Sequence, residues 1–182
     1  MSDELLIRHC SPTLAGLKTG NLFTCASSSR EKAVAGVRRL NQMLGEKGLR
    51  VLLLQYVRGR ALVYVFRPNA LEKDLSDSER ARILKRVGYQ STKPWHCLAE
   101  LVRRLEKTQE FPHEIGLFLS YPPEDVEGFM RDRPDCKCVG CWKVYGDEQK
   151  ARRLFETYRQ CADAYRRQWT GGRPLAELVV TI

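Results

Sequence analysis

The chain has 182 residues, of which 43% are hydrophobic, and it carries a formal net charge of +9. A chain of this length can bury a core without disulfides or metals, and its apolar content excludes a disordered protein. The longest apolar run is about six residues, whereas a membrane span needs roughly twenty. The N-terminus is acidic and does not resemble a secretory leader. We therefore predict a single domain over residues 1–182, without a membrane segment and in the cytoplasm.

The first half of the chain predicts helices around a β-hairpin. Pro12 is expected to end the first helix, because a proline cannot donate the next helical hydrogen bond. Arg58-Gly59-Arg60 separates two runs of β-branched and aromatic residues and predicts the turn of the hairpin. The predicted elements are helices at residues 3–10, 13–18 and 28–46, and strands at residues 21–25, 49–57 and 61–66.

The second half alternates amphipathic and apolar segments. Pro94 and Pro123 suit the first turns of helices, and Asp147 is a suitable cap for a long one. The predicted elements are helices at residues 76–87, 94–105, 123–130 and 147–169, and strands at residues 115–119, 142–145 and 178–182. This pattern predicts an α/β fold, a single-domain mixed sheet of about five strands, including one hairpin, flanked by helices.

Three of the seven cysteines lie within six positions, in the segment Cys-Lys-Cys-Val-Gly-Cys-Trp. Cys136, Cys138 and Cys141 form a C-x-C-x-x-C array, and loops that collect thiolates in this way often bind zinc or iron. Gly140 favours a tight turn, because glycine adopts backbone angles that other residues avoid. The spacing predicts a metal site with these three cysteines as ligands. A fourth ligand has four candidates: Cys161, His113, His96 and Cys97.

The same array is compatible with thiol-redox chemistry. Cys138 and Cys141 form a C-x-x-C pair, which in redox proteins usually begins at a helix N-terminus that lowers the pKa of the first thiol. Here the pair leads into the strand-like segment Trp-Lys-Val-Tyr. The sequence therefore leaves metal binding and redox chemistry open as alternatives for Cys136, Cys138 and Cys141.

A second hypothesis is a hydrolase that uses Cys10 as nucleophile and His113 as base. Cys10 comes just before a predicted helix start, and His113 stands at the head of the predicted strand 115–119. A thiol activated by a helix dipole and an imidazole that accepts its proton are the components of a nucleophilic cysteine site. The order of the two residues and the pattern His-x-x-Gly-aliphatic-aromatic resemble papain-type amidases. The sequence does not decide whether the chain is an enzyme.

The basic charge suggests a third class, a module that binds nucleic acid or another anionic partner. Basic residues recur along the predicted helices at residues 76–87 and 147–169. Phe155, Tyr158 and Tyr165 are expected to pack in the core rather than to stack on bases. No named nucleic-acid motif, P-loop or dinucleotide-binding glycine pattern occurs. Nucleic-acid binding is thus a hypothesis based on charge alone.

Three blocks of the sequence resemble a bacterial family, found mostly in Firmicutes, that is catalogued as domain of unknown function 3793. The blocks are His9-Cys10-Ser11-Pro12-Thr13-Leu14-Ala15-Gly16-Leu17-Lys18-Thr19-Gly20-Asn21-Leu22-Phe23, His113-Glu114-Ile115-Gly116-Leu117-Phe118-Leu119-Ser120-Tyr121-Pro122-Pro123-Glu124-Asp125-Val126 and Cys141-Trp142-Lys143-Val144-Tyr145-Gly146-Asp147. The resemblance spans essentially the whole chain. It implies no activity, cofactor or catalytic residue.

Overall fold

The computed structural model describes residues 2–107 and 110–181 as two compact units. The first contains residues 2–69 and 160–181, and the second contains residues 70–107 and 110–159. No helix in these ranges is long and apolar enough to cross a membrane. The helices are α1 Asp3–Leu14, α2 Arg30–Leu44, α3 Pro68–Ser76, α4 Ser78–Arg86, α5 Pro94–Lys107, α6 Ile115–Phe118, α7 Pro123–Met130, α8 Glu148–Thr170 and α9 Leu175–Leu178. The strands are β1 Gly20–Ala26, β2 Arg50–Val57, β3 Arg60–Phe66, β4 Cys138–Val139 and β5 Lys143–Val144, and a 3-10 turn covers Gly45–Lys47.

The first unit is built on an antiparallel sheet in the order β1-β3-β2. The predicted hairpin is confirmed, with Val57 opposite Arg60 and a two-residue turn between them. Arg58 and Gly59 have φ angles of 49° and 75°. Two consecutive positive φ angles form the turn that matches the twist of a tight hairpin. α1 packs against β1 and α2 against β2, which places the core of this unit between sheet and helices.

The mixed α/β class is confirmed, but the prediction of one sheet of about five strands is wrong. The described residues form a three-stranded sheet and a separate two-stranded hairpin. The predicted strand 115–119 is the short helix α6. The predicted strand 178–182 is not found either: Leu178 ends the short helix α9, residues 179–181 are neither helix nor strand, and Ile182 lies outside the described residues. Ile115 to Phe118 are all buried, and a short apolar run buried on every side has no periodicity that separates a strand from a helix.

The predicted helix break at Pro12 is also wrong, because α1 continues to Leu14. The guanidinium of Arg67 stabilises this helix end: it donates from Nε to the Thr13 carbonyl at 2.9 Å and from Nη2 to the Leu14 carbonyl at 2.8 Å. Arg67 also donates to the carbonyls of Lys47 and Val180. The last carbonyls of a helix need partners, and a cation suits the negative end of the helix dipole. Pro12 removes one backbone donor from α1, as any proline beyond the first turn does, and the helix nevertheless continues for two more residues.

The second unit contains the helices that the amphipathic pattern predicted. α4 begins at the cap Asp77, whose carboxylate accepts from the Arg80 amide, and α7 begins at Pro123. Asp147 caps the start of α8 by accepting from the Lys150 amide at 2.9 Å. The predicted strand 142–145 appears as β5, which pairs with β4. This hairpin carries the cysteine array.

Candidate thiol site on the cysteine hairpin

The C-x-C-x-x-C array runs into and around the tip of the hairpin β4-β5. Cys138 lies opposite Val144, and Val139 lies opposite Lys143. Backbone hydrogen bonds continue the pairing on both sides, from the Lys137 amide to the Val144 carbonyl at 2.8 Å and from the Gly140 amide to the Trp142 carbonyl at 3.0 Å. Gly140, Cys141 and Trp142 therefore form the tip. Cys136 precedes β4, Cys138 begins it, and Cys141 lies at the turn.

Asp125 of α7 fixes the second strand of the hairpin. Its side chain is buried, and its Oδ2 accepts a hydrogen bond from the Trp142 indole Nε1 at 2.7 Å. Its Oδ1 accepts from the backbone amides of Tyr145 and Gly146 at 2.7 and 2.8 Å. A buried carboxylate needs several donors to offset its lost hydration. These three donors join the hairpin to α7.

Aromatic side chains pack around the tip. The Trp142 ring stacks on Tyr121, with ring centroids 4.6 Å apart, and meets Phe155 of α8 edge-on, also at 4.6 Å. A Cβ on Gly140 would lie 2.2 Å from the Phe155 ring. Gly140 is not among the described residues with positive φ, so the predicted reason for this glycine is wrong. It is needed for close packing against Phe155 rather than for an unusual backbone angle.

The three thiols of the hairpin differ in exposure. Cys141 is exposed, whereas Cys136 and Cys138 are partly buried, and none of them forms a disulfide. Cys138 packs against the apolar cluster that contains Trp142 and Tyr158. Cys136 donates from its Sγ to the Cys138 carbonyl at 3.4 Å. The hairpin thus presents one thiol to solvent and keeps two against the protein.

Two tyrosines lie close to Cys141. The Tyr121 hydroxyl donates to the Cys141 carbonyl at 3.3 Å. Burial, together with the negative charge of a Cys141 thiolate, raises the pKa of both Tyr121 and Tyr158 to about 12. Cys138 in turn helps to raise the pKa of Arg152, after the larger effect of Glu148. Cys141 therefore lies within electrostatic reach of Tyr121 and Tyr158, and Cys138 within electrostatic reach of Arg152.

The described residues contain no group of three or more His, Cys, Asp and Glu side chains arranged to hold a metal ion. Two of the candidate fourth ligands make hydrogen-bond contacts with Ser91 instead. The Cys97 thiol donates to the Ser91 carbonyl at 3.0 Å, and His96 Nδ1 lies 3.3 Å from the Ser91 hydroxyl. Cys161 belongs to the first unit and packs against its core. The metal site at Cys136, Cys138 and Cys141 stays a prediction without a preassembled ligand group.

The structural basis expected for the Cys10 and His113 pair is wrong in two respects. Cys10 lies inside α1 rather than at a helix start, and it is 0% exposed. Burial raises the pKa of this thiol well above its ordinary value, which is the opposite of activation. His113 is exposed, precedes α6 rather than a strand, and packs edge-on against Phe129 at 4.9 Å. The two residues belong to different units, and their pairing stays a prediction.

Acidic partners occupy several of the basic residues that suggested nucleic-acid binding. In α4, Arg82 and Arg86 both form ion pairs with Glu127. In α8, Arg152 pairs with Glu148 and Arg159 with Glu156, both at 2.7 Å. Tyr158 and Tyr165 are buried, as their helical spacing predicted. These pairs reduce the positive field of the two helices, and nucleic-acid binding stays a hypothesis.

Sequence reasoning found the three cysteines but missed the residues that support them. Asp125 looks like an ordinary acidic residue in the first turn of a helix, and Tyr121 and Phe155 look like ordinary aromatic residues. Their roles depend on contacts 17 to 21 residues apart in sequence for Asp125, and no local pattern reports such contacts. In the structure, Asp125 is buried beside Val126 in α7. A buried carboxylate indicates a role in hydrogen bonding that the sequence alone did not show.

Fold and site together define an α/β protein with a cysteine-bearing hairpin. The chain belongs to the family described as "Protein of unknown function (DUF3793)", whose family model matches residues 6–179. This match confirms the resemblance inferred from the three sequence blocks. No curated protein and no solved structure matches the chain.

Proposed function

We propose that the chain is a thiol-redox module whose hairpin performs thiol–disulfide exchange through Cys141 and Cys138. The observation that carries this proposal is the difference in exposure: Cys141 is exposed at the tip, and Cys138 is partly buried three residues away. Redox-active proteins commonly combine a solvent-accessible thiol, which attacks, with a second thiol that resolves the product. Cys136 is a third thiol on the same hairpin.

The exchange begins at Cys141. Its thiolate attacks one sulfur of a disulfide on a partner protein or small thiol compound, and the other sulfur leaves as a thiolate that takes up a proton. The thiolate of Cys138 then attacks Cys141 Sγ and breaks the mixed disulfide, which releases the second partner thiol. The hairpin loses two electrons and two protons and forms a Cys138–Cys141 disulfide, while the partner disulfide becomes two thiols.

The surroundings of the hairpin support this division of roles. Asp125 and the packing of Trp142 hold the base of the tip, whereas Val139, beside the tip, is 71% exposed. A disulfide needs the two Cα atoms within about 7 Å, a distance that the three-residue spacing of Cys138 and Cys141 permits. Cys138 contacts the cluster around Tyr158, and the charge of Cys141 acts on the same tyrosine.

The test is equilibration of the reduced protein with mixtures of reduced and oxidised glutathione. Alkylation and peptide mass spectrometry then count and locate the remaining thiols. We expect one intramolecular disulfide between Cys138 and Cys141, lost in Cys141→Ser. In Cys138→Ser we expect a mixed disulfide of Cys141 with glutathione. Cys161→Ser, at a partly buried cysteine of the first unit, is the control. A wild-type protein that keeps all its thiols throughout the titration would contradict the proposal.

Binding of a thiophilic metal ion by Cys136, Cys138 and Cys141 is the second candidate, and the presence of three thiols on one hairpin favours it. Zinc or iron would require the tip to rearrange, since the described residues contain no preassembled ligand group. Elemental analysis of protein purified without oxygen tests this candidate. More than a tenth of an equivalent of zinc or iron, lost when the three cysteines become serine, supports it, and a smaller amount that does not change opposes it.

A further inference from the structure

The cysteine hairpin has one buried face and one exposed face. Cys138 and Val144 lie opposite each other, and both contact the apolar cluster that contains Trp142. The next pair, Val139 and Lys143, points to the other face, because side chains alternate along a strand. Both residues of this pair are exposed, Val139 by 71%. The hairpin therefore presents an aliphatic side chain and a cation to solvent, each two residues from Cys141.

The side chain of Lys143 connects this exposed pair to helix α7. Its Nζ lies 5.3 Å from the centre of the Phe129 ring, which is a cation–π contact. Phe129 is 38% exposed, and its ring meets the exposed imidazole of His113 edge-on at 4.9 Å. Val139, Lys143, Phe129 and His113 thus form one connected exposed surface, which we call the docking face.

The docking face adjoins the thiol that the proposed exchange uses for attack. Exposed apolar side chains usually occur singly, whereas connected groups of them mark contacts with other molecules. A disulfide that reaches Cys141 Sγ brings the groups around it to this face, because Val139 is two residues from Cys141. A protein disulfide carries flanking side chains that can cover Val139 and Phe129, and a small disulfide carries few.

Lys143 sets the charge that the docking face prefers. Among residues 2–107 and 110–181, no carboxylate forms an ion pair with this lysine. The Glu127 carboxylate of α7 is instead shared by Arg82, Arg86 and Arg131. An acidic residue of a partner would therefore find an uncompensated cation beside the apolar groups, and a basic residue would be repelled.

We propose that the docking face binds the partner of the thiol exchange, and that this partner is a protein segment with apolar and acidic residues beside its disulfide cysteine. The inference rests on the proposed thiol–disulfide exchange and names its substrate class. The apolar residue packs on Val139 and Phe129, and the carboxylate pairs with Lys143. The disulfide then lies at Cys141.

The test compares the rates at which the reduced protein reduces three peptide disulfides and oxidised glutathione. The peptides are disulfide-linked dimers of acetyl-Glu-Leu-Cys-Leu-Glu-amide, of its version with Ser for Leu, and of its version with Lys for Glu. Each turnover converts one disulfide into two thiols and leaves a Cys138–Cys141 disulfide, and acid quenching with chromatography counts the thiols. Division by the rate of the same disulfide with 2-mercaptoethanol removes differences in intrinsic reactivity.

We expect the normalised rate of the Leu–Glu peptide to be at least tenfold above those of the other three disulfides. Val139→Ser and Phe129→Ala should each lower the ratio of the Leu–Glu rate to the glutathione rate about fivefold, since each removes apolar contact. Lys143→Gln should reduce the difference between the Glu and Lys peptides. Val57→Ser, at a 48% exposed valine of the first unit, is the control and should leave the ratio unchanged.

The results separate failure of the docking face from failure of the exchange itself. A Leu–Glu rate no higher than the glutathione rate, or the same ratio in Val139→Ser as in the parent, would overturn the docking face and leave the thiol exchange standing. Val139 is exposed, so this variant tests the surface even if Phe129→Ala does not fold. A protein that reduces none of the four disulfides would overturn the exchange and the docking face together.

Discussion

Asp125 and Trp142 are joined by a hydrogen bond of 2.7 Å between a buried carboxylate and an indole N–H, across 17 residues of sequence. This bond, with the two amides that Asp125 also binds, connects α7 to the strand that follows the cysteine tip. The position of Cys141 therefore depends on a residue that carries no thiol.

Replacement of Asp125 by Asn should destabilise the second unit by about 1 to 3 kcal/mol. The side-chain amide places an N–H donor where an oxygen now accepts, so at least one of the three donors loses its partner. Denaturant unfolding followed by tryptophan fluorescence measures the change. Asp132→Asn is the matched control, because Asp132 is exposed and its positive φ of 48° suits asparagine. A stability loss of Asp125→Asn no larger than that of Asp132→Asn would contradict this role.

Gly140→Ala should destabilise the hairpin by about 1 to 3 kcal/mol, since the new methyl group would overlap the Phe155 ring. In the Phe155→Ala background, Gly140→Ala should destabilise the protein less than it does in the parent, because the ring that causes the overlap is gone. A double-mutant cycle measures the coupling. Gly171→Ala, where a Cβ would meet only ordinary contacts at 3.4 Å, is the control. Additive effects of the two changes would count against the contact.

Alkylation of the native protein at pH 8 should label Cys141 first and Cys10 last. Cys141 is exposed, whereas Cys10 is completely buried and its raised pKa lowers the thiolate fraction that reacts. Iodoacetamide labelling with peptide mass spectrometry follows both rates, which we expect to differ at least a hundredfold. In denaturant the two rates should converge. Equal native rates would mean that Cys10 is accessible, and would revive the hydrolase hypothesis with His113.

The stability of the protein should fall between pH 10 and pH 12 in a way that depends on Tyr158. In the folded state its pKa is raised to about 12 by burial and by the Cys141 charge, against about 10 in an unfolded chain. The stabilisation is therefore complete below pH 10 and is lost as the pH rises toward 12, roughly 1 to 3 kcal/mol in all. Urea unfolding at pH 9.5, 10.5 and 11.5 should show a steeper loss for the parent than for Tyr158→Phe. Parallel losses would show that another group titrates.

Local patterns predicted those elements whose structure depends on neighbours along the chain. The apolar spacing of α2, α5, α7 and α8 and the Arg58-Gly59 turn each specify conformation within a few residues. The C-x-C-x-x-C spacing located the candidate site for the same reason. Ile115–Phe118 and Pro12 misled the prediction, because the first is apolar on all sides and the end of α1, just after Pro12, is bound by a long-range partner.

That partner is Arg67, which donates to the end of α1 and to the carbonyl of Val180, 113 residues away. The sequence by itself determined the long amphipathic helices, the hairpin β2-β3 and the three clustered cysteines, since these depend on periodicity and turn chemistry. Only the tertiary structure decided which thiol is exposed, how Asp125 holds the tip, and where α1 ends. Burial and hydrogen bonding between distant segments are properties of the folded chain, and no local spacing encodes them.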